Sequence, residues 1–379
     1  MMNKKLGLYI HIPFCNKVCP YCDFHKMVAS NDLKEAYVNA LIQECKLKNI
    51  SKYQISTVYI GGGTPSSLRL DLLEMLFSTL NKCIDLKKLS EFTFECNPED
   101  IHSDLLNLLK KYHVNRLSIG IQTLNKNLQK EIKRVFDDEK LSKVVELIKT
   151  FGFTNYSFDL MYGFVNQTIL DIKLDIEKLV SYNPTHISIY SLIVEDHTIF
   201  GKLKQEGFVL EASDDEQAKE YLFIIDYLEK LGYYQYETSN FSKKGYESIH
   251  NLIYWDHEDY LCLGTGASSF IDDTRSVTTT HIHKYIDSLK NNKLPDVESE
   301  FLDFEDVTDE FVMMALRKNE GIDIKLFEEL FGVDIFEYYP NINYLLDNNI
   351  IEQRGKFLSI KKEFRYVANS VIVKFISAF

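Results

Sequence analysis

No run of eighteen apolar residues occurs anywhere in the 379 positions, so a membrane-spanning helix is not expected. The opening MMNKKLGLYI is also too short in its apolar run to act as a secretory leader. Together these point to a cytoplasmic protein with no integral membrane segment. Positive charge is scarce: 43 Lys and Arg against 56 Asp and Glu leave a formal net charge of −13. That balance argues against a nucleic-acid partner, because such binding draws its affinity from cations set against phosphates. Cysteine is sparse and odd in number, seven in all, which excludes a disulfide framework as the organising device. Only three of the seven cluster.

What is present is a repeated strand-then-helix order. Strand-like runs fall at residues 7–12, 56–60, 91–96, 116–122, 155–161 and 186–192, each followed by a helical pattern. In the first helix, DLKEAYVNALIQECKLKN spaces Leu33, Tyr37, Leu41 and Cys45 by four, with Ala36 and Ala40 beside them. This order predicts a parallel sheet with helices outside. Successive strand side chains point to opposite faces, and one parity is apolar throughout, for example Leu8, Ile10 and Ile12, or Leu117, Ile119 and Ile121. The other is polar on all six strands and carries Tyr9, His11, Thr57, Tyr59, Glu95, Gln122, Asp159 and His186. A closed eight-stranded barrel fills its interior with branched apolar side chains, so a polar interior on six strands predicts an open, partial (β/α)6 TIM-type barrel with a polar ligand inside. A doubly wound sheet is the alternative, but its central strands should be apolar on both faces. Ligands in parallel α/β architectures sit at the carboxyl ends of the strands, where Glu95, Gln122 and Asp159 fall.

Cys15, Cys19 and Cys22 form C-x3-C-x2-C directly after the first strand, and Pro13 and Pro20 keep this stretch from running on as a helix. Two centres compete for the thiols. A zinc site would take His25 as its fourth ligand; an iron-sulfur cubane would use three thiolates and leave one iron open. GGGTP at 61–65 follows the second strand, where glycines permit close backbone approach to a ligand.

The cysteine loop in this position resembles the signature of the radical S-adenosylmethionine (SAM) superfamily. The resemblance implies a 4Fe-4S cluster on Cys15, Cys19 and Cys22 whose open iron chelates SAM, and an electron donor such as flavodoxin or ferredoxin. An electron from the cluster cleaves SAM to a deoxyadenosyl radical in that family. The stretches YIHIPFCNKVCPYCDF, YIGGGTPSSL, FECNPED, RLSIGIQT, FDLMYGFVNQT, GYYQYETSNF and HNLIYW are similar to the oxygen-independent coproporphyrinogen oxidase-like branch over nearly the whole chain. Carried over singly, Tyr9, Tyr21, Gly62, Gly63, Thr64, Glu95, Gln122, Arg134 and Asp159 match that family's SAM positions. Glu95 and Asp159 would then handle polar groups of the nucleoside, and Arg134 would offer its charge near the carboxylate. Two features choose within the branch. The oxidase pattern has a further cysteine two residues after the third, where Phe24 stands here, and HNLIYW at 250–255 resembles the HNxxYW signature of the HemW-type heme chaperones. The resemblance therefore implies heme as cargo, an acceptor protein that receives it, and His250 as a heme contact or axial ligand. Oxidative decarboxylation of coproporphyrinogen is the alternative activity. A homodimer is compatible with the sequence. Three positions depart from the family pattern: Phe136 and Ser268 where histidine is common, and Val165 where proline is expected.

Cys45, Cys83 and Cys96 sit on apolar faces and read as core thiols, while His11 and His186 read as satisfied interior histidines. The domains are expected at 1–235, a connecting region at 236–299 bearing HNLIYW, and 300–379. The last comprises three helices, a hairpin and a final apolar helix, a winged-helix-like α+β domain. Over residues 301–379, fourteen acidic against nine basic side chains give −5, which favours a lid or partner-docking role over DNA binding.

Overall fold

Leu8, Ile10, Ile12, Val58, Ile60, Phe92, Phe94, Leu117, Ile119, Ile121, Tyr156, Phe158, Ile187 and Ile189 are buried together in one core with the outer helices. The apolar parity of all six runs therefore faces the helices in the computed structural model, which describes residues 6–377. The first five residues, which bear on the leader reading, and the last two, which fall in the expected 300–379 domain, lie outside the described residues.

The strands are β1 (Leu6–Ile12), β2 (Ile55–Gly62), β3 (Glu91–Cys96), β4 (Arg116–Gln122), β5 (Asn155–Tyr162) and β6 (His186–Ser191). They pair in sequence order and in parallel, β1 to β6. Beyond β6 lie β7 (Tyr234–Glu237) and β8 (Asn240–Ser242), antiparallel, with β8 against β6. On the other side β9 (Tyr260–Leu263) runs parallel to β1 and places Cys262 opposite Tyr9. β10 (Ser268–Ile271), β11 (Thr274–Thr278) and β12 (Val297–Phe301) then extend the sheet in antiparallel fashion. The result is a twelve-stranded sheet with β12 and β7 as its two edges, so the barrel is open. Segment 236–299 contributes strands to both ends of this sheet. β9 carries no long alternation, and only the four residues YLCL announce it.

The helix Asn31–Leu47 starts where Ser30 accepts from the Leu33 amide, and it buries Tyr37, Ala40, Leu41 and Cys45 as its spacing predicts. Inside it, Glu44 has no exposure and accepts from Gly264 N and Tyr285 Oη, which fastens the helix to the loop after β9.

The C-terminal part has its own core around Phe311, Phe327, Ile342, Leu358 and Phe375. Helices Phe304–Ala315, Ile324–Phe331 and Asn341–Asp347 precede the hairpin Ile351–Arg354/Phe357–Ile360, and Ala368–Ile376 closes it. It docks through Arg365 to Gln235 (3.0 Å), Asn319 N to Tyr236 O (3.0 Å) and Glu310 to His257 (3.3 Å) and Arg275 (2.5 Å).

Candidate cofactor pocket

The carboxyl ends of the parallel strands surround a cavity of about 400 Å³. Its wall includes Cys15, Cys19, Tyr21 and Cys22 from the loop after β1, Gly62 at the end of β2 with Gly63 and Thr64 after it, Glu95 from β3 and Asn97 just past it, and Gln122, Arg134 and Asp159. Of the residues nominated for the cluster, SAM or heme, Tyr9 and His250 stand outside this wall.

The cysteine loop is closed at its base by a parallel bridge between Phe14 and Met27, with Cys15 N donating to Met27 O (2.9 Å) and Met27 N to Pro13 O (2.7 Å). Its middle is held where Phe200 N donates to Pro20 O (2.9 Å) and where Tyr21 packs with Leu128, Met161, Phe164 and Phe200. The glycine run lies against it: Gly63 N donates to Ile12 O and Thr64 N to Phe14 O, each at 2.8 Å. A β-carbon on Gly63 would come 2.9 Å from Phe14 O and 3.0 Å from Cys15 Sγ, so this backbone approaches the thiol loop as closely as it does only as glycine.

From there one chain of contacts crosses the pocket. Thr64 Oγ1 lies 3.5 Å from Cys15 Sγ, Asn97 Nδ2 donates to Thr64 (3.4 Å), Arg134 donates to Asn97 Oδ1 (2.8 Å), and its second arm donates to Gly120 O (2.6 Å). The guanidinium is thereby aimed into the cavity from the loop after β4. Phe136 is buried nearby, and Arg134 keeps its place without a histidine at that position. Gln122 sits at a register shift between β4 and β5 with φ of 70°, a left-handed backbone that re-aims its side chain at the strand end.

Two carboxylates face each other across this interior. Glu95 accepts from Tyr59 Oη (2.7 Å) and Gly62 N (3.0 Å), and burial pushes its pKa up to about 7. Asp159 accepts from Ser118 Oγ at 3.2 Å, and burial likewise raises its pKa. Tyr59 and Asn97 are pocket residues that no motif singles out. The inward parity of Tyr59 and the position of Asn97 just past β3 were the available signals.

The residues present fit an iron-sulfur cluster better than zinc. A zinc site on these thiols would need His25 as its fourth ligand. His25 is turned away from the cavity: its ring lies 5.8 Å from that of His11 and packs against Gly266. The three thiols instead share a wall of a cavity with room for a second polar group, and burial raises the pKa of Cys15 and Cys22.

Two expectations need correction. Tyr9 hydrogen-bonds His11 (3.1 Å) and stacks on Tyr59 at 5.9 Å, so it supports the pocket from behind that ring and does not line it. His250 lies at the opposite end of the barrel. It is fully buried, with Nδ1 2.7 Å from Thr57 Oγ1 and Nε2 2.9 Å from Tyr254 Oη, and burial lowers its pKa to about 3. Both ring nitrogens are engaged, which leaves none for an iron. The helix Ile249–Trp255 that carries it closes the amino ends of β1–β3: a β-carbon on Gly7 would meet Ile253 at 3.0 Å, and Glu91 accepts from Ser248 Oγ, Ile249 N and His250 N. The C-terminal domain packs at this floor, and among the described residues none beyond Glu195 lines the cavity, so the lid role is not met. His11 and His186 are interior histidines with protein partners, His25 O at 2.8 Å for the first, Ser157 and Tyr236 for the second.

This is the fold of a radical SAM protein: residues 9–179 match the Radical SAM superfamily and residues 302–366 the HemN C-terminal domain. The structure of coproporphyrinogen III oxidase (HemN) from Escherichia coli superposes with a TM-score of 0.85 at 22% identity, over 99% of this chain and 91% of that one, which establishes the shared architecture. Within that class the chain belongs to the HemW family. It is 35% identical to the heme chaperone HemW of Lactococcus lactis over 377 residues, covering 99% of this chain and 98% of the relative. It is also 35% identical to the heme chaperone HemW of Bacillus subtilis over 373 residues, covering 97% and 98%. Among the described residues no helix is long and apolar enough to cross a membrane.

Proposed function

We propose that this protein is a heme chaperone that binds a 4Fe-4S cluster through Cys15, Cys19 and Cys22, holds SAM in the adjoining cavity, and passes heme to an acceptor protein. The observation that carries the reading is the convergence of three thiols, two buried carboxylates and the Arg134 guanidinium on one cavity, in a chain whose HemW relatives align from end to end.

When bound, a reduced cluster supplies one electron for cleavage of SAM. The chain's own residues bind and orient. Arg134, fixed by Asn97 and Gly120, offers charge to a carboxylate. Glu95 and Asp159 accept from hydroxyl or amino groups, and the glycine run keeps the backbone open beside Cys15. At the mouth, Phe24 is 70% exposed and Ile193 66% exposed, both lining the cavity. An apolar rim of this kind suits a flat, apolar macrocycle, and Phe24 has no donor for a metal.

The test is anaerobic reconstitution followed by iron and sulfide analysis, SAM titration and heme titration. About four irons per chain, with saturable SAM and heme binding and no decarboxylation of coproporphyrinogen, is the expected outcome. Conversion of coproporphyrinogen to protoporphyrinogen in the presence of SAM and reductant would establish the oxidase instead.

A further inference from the structure

The floor helix and the cofactor cavity occupy opposite ends of the barrel, yet a single side chain bridges them. The His250 ring packs against Tyr59 with centroids 5.3 Å apart and planes inclined by 33°, while Tyr9 stacks on Tyr59 at 5.9 Å. The hydroxyl at the far end of Tyr59 donates to Glu95 Oε1 at 2.7 Å, and the other carboxylate oxygen is held by Gly62 N. His250 is itself immobilised: Thr57 and Tyr254 take its two nitrogens, Glu91 accepts from its backbone amide, and the Tyr254 ring meets it edge-on at 5.2 Å. Gly7 gives the helix room to approach, since an added β-carbon would lie 3.0 Å from Ile253 and 3.2 Å from His250.

We propose that the HNLIYW helix is a positioning element for the SAM cavity, in which His250 seats the Tyr59 ring and Tyr59 holds the Glu95 carboxylate in the orientation that receives SAM. The proposal rests on Glu95 being a SAM contact. It gives the motif a role in cofactor binding, and His250 is a positioning residue without contact to heme. Tyr59 supplies one of two hydrogen bonds that fix Glu95, and a bond to a charged acceptor is worth roughly 1.5 kcal/mol or more, about tenfold in affinity.

The experiment uses the full chain, reconstituted anaerobically, in wild-type, Glu95→Gln, Tyr59→Phe, His250→Ala and Tyr59→Phe/His250→Ala forms. Readouts are SAM affinity, the change in the reduced-cluster EPR spectrum on adding SAM, iron content, melting temperature and heme affinity. The expected result is SAM binding weakened about tenfold in each single variant and no further in the double variant, because both act through one contact. Iron content and heme affinity should stay at wild-type values. Ile253→Ala, which trims packing of this helix beside Gly7 and keeps the His250 ring, should lower the melting temperature and leave the SAM-dependent spectrum intact. Should His250→Ala fail to fold, His250→Gln keeps a donor toward Thr57 but no ring against Tyr59, and carries the same expectation. Loss of heme binding in His250→Ala with SAM affinity retained overturns the proposal, as do additive effects in the double variant. If Glu95→Gln binds SAM as wild type does, the underlying reading of Glu95 falls and the proposal with it. If Glu95→Gln is impaired and His250→Ala is not, the positioning role alone falls.

Discussion

Gly62 stands directly against the imidazole of His11: a β-carbon at this position would lie 2.5 Å from Cε1 and 2.6 Å from Nδ1, and the backbone holds φ of 117°. Both facts demand glycine, and they fall on the residue whose amide holds Glu95. Gly62→Ala should therefore cost more than an ordinary left-handed glycine, because neither the strand nor the buried ring can move aside cheaply. Gly245, with φ of 84° and nothing within 4 Å of an added β-carbon, isolates the backbone part alone. In denaturant melts Gly245→Ala should lose about 1 kcal/mol and Gly62→Ala roughly 3 kcal/mol or more, with SAM affinity reduced only in the latter. Equal losses would show that the His11 contact relaxes freely.

The buried carboxylate of Glu91 at the floor gives a second prediction. Arg116 is among the largest fully buried side chains, and Glu91 is the foremost anion favouring its charge. Glu91 also caps the floor helix. Glu91→Gln weakens the acceptor of three hydrogen bonds at the start of the floor helix and removes the anion that most favours the Arg116 charge, a loss of about 1.5–3 kcal/mol. Thermal denaturation should show a large loss in Glu91→Gln. A loss below about 1 kcal/mol would mean that water reaches Arg116.

The cysteines divide into two sets with opposite expectations. Cys15→Ser, Cys19→Ser or Cys22→Ser should abolish iron and sulfide incorporation while leaving the far-ultraviolet spectrum unchanged, since their loop is held by its own backbone bonds and by Tyr21. Cys45→Ala and Cys262→Ala should lose stability by about 1–2 kcal/mol through lost packing and retain full iron, because both thiols are buried in the barrel away from the cavity wall. Iron loss in Cys262→Ala would place that inward-facing thiol in the cluster's reach.

The six barrel strands and the wall of the cavity were legible because alternation along a strand reports two faces at once, and the polar face of Glu95, Gln122 and Asp159 survives as the pocket lining. β9 was not legible: YLCL is too short to show a period, and its place beside β1 is decided by tertiary pairing. His250 was misplaced for a related reason. A motif shows which residues travel together, but the end of the barrel they reach depends on the Ser248 and Glu91 caps, which come from segments more than 150 positions apart. Tyr9 shares the inward parity of the pocket residues, yet its neighbour Tyr59 takes the position at the wall.

Glu237 provides a test in pH. It is buried beside β8, its Oε1 has no hydrogen-bond partner, and burial raises its pKa from 4.5 to about 7 despite bonds from Asn240 and the charge of Arg317. The folded state thus holds this proton more tightly than the unfolded chain. Its contribution is most favourable below 4.5 and is lost as the pH rises through 7. Above that the full cost of burying the anion is in place, on the order of 3 kcal/mol. Glu237→Gln removes the ionisation and keeps the shape. Urea denaturation should find the variant close to wild type near pH 4 and more stable near pH 8.5, with the difference growing from about pH 4.5 and levelling off above about 7. A gap that opens in the opposite direction would mean that Arg317 stabilises the anion by more than burial penalises it.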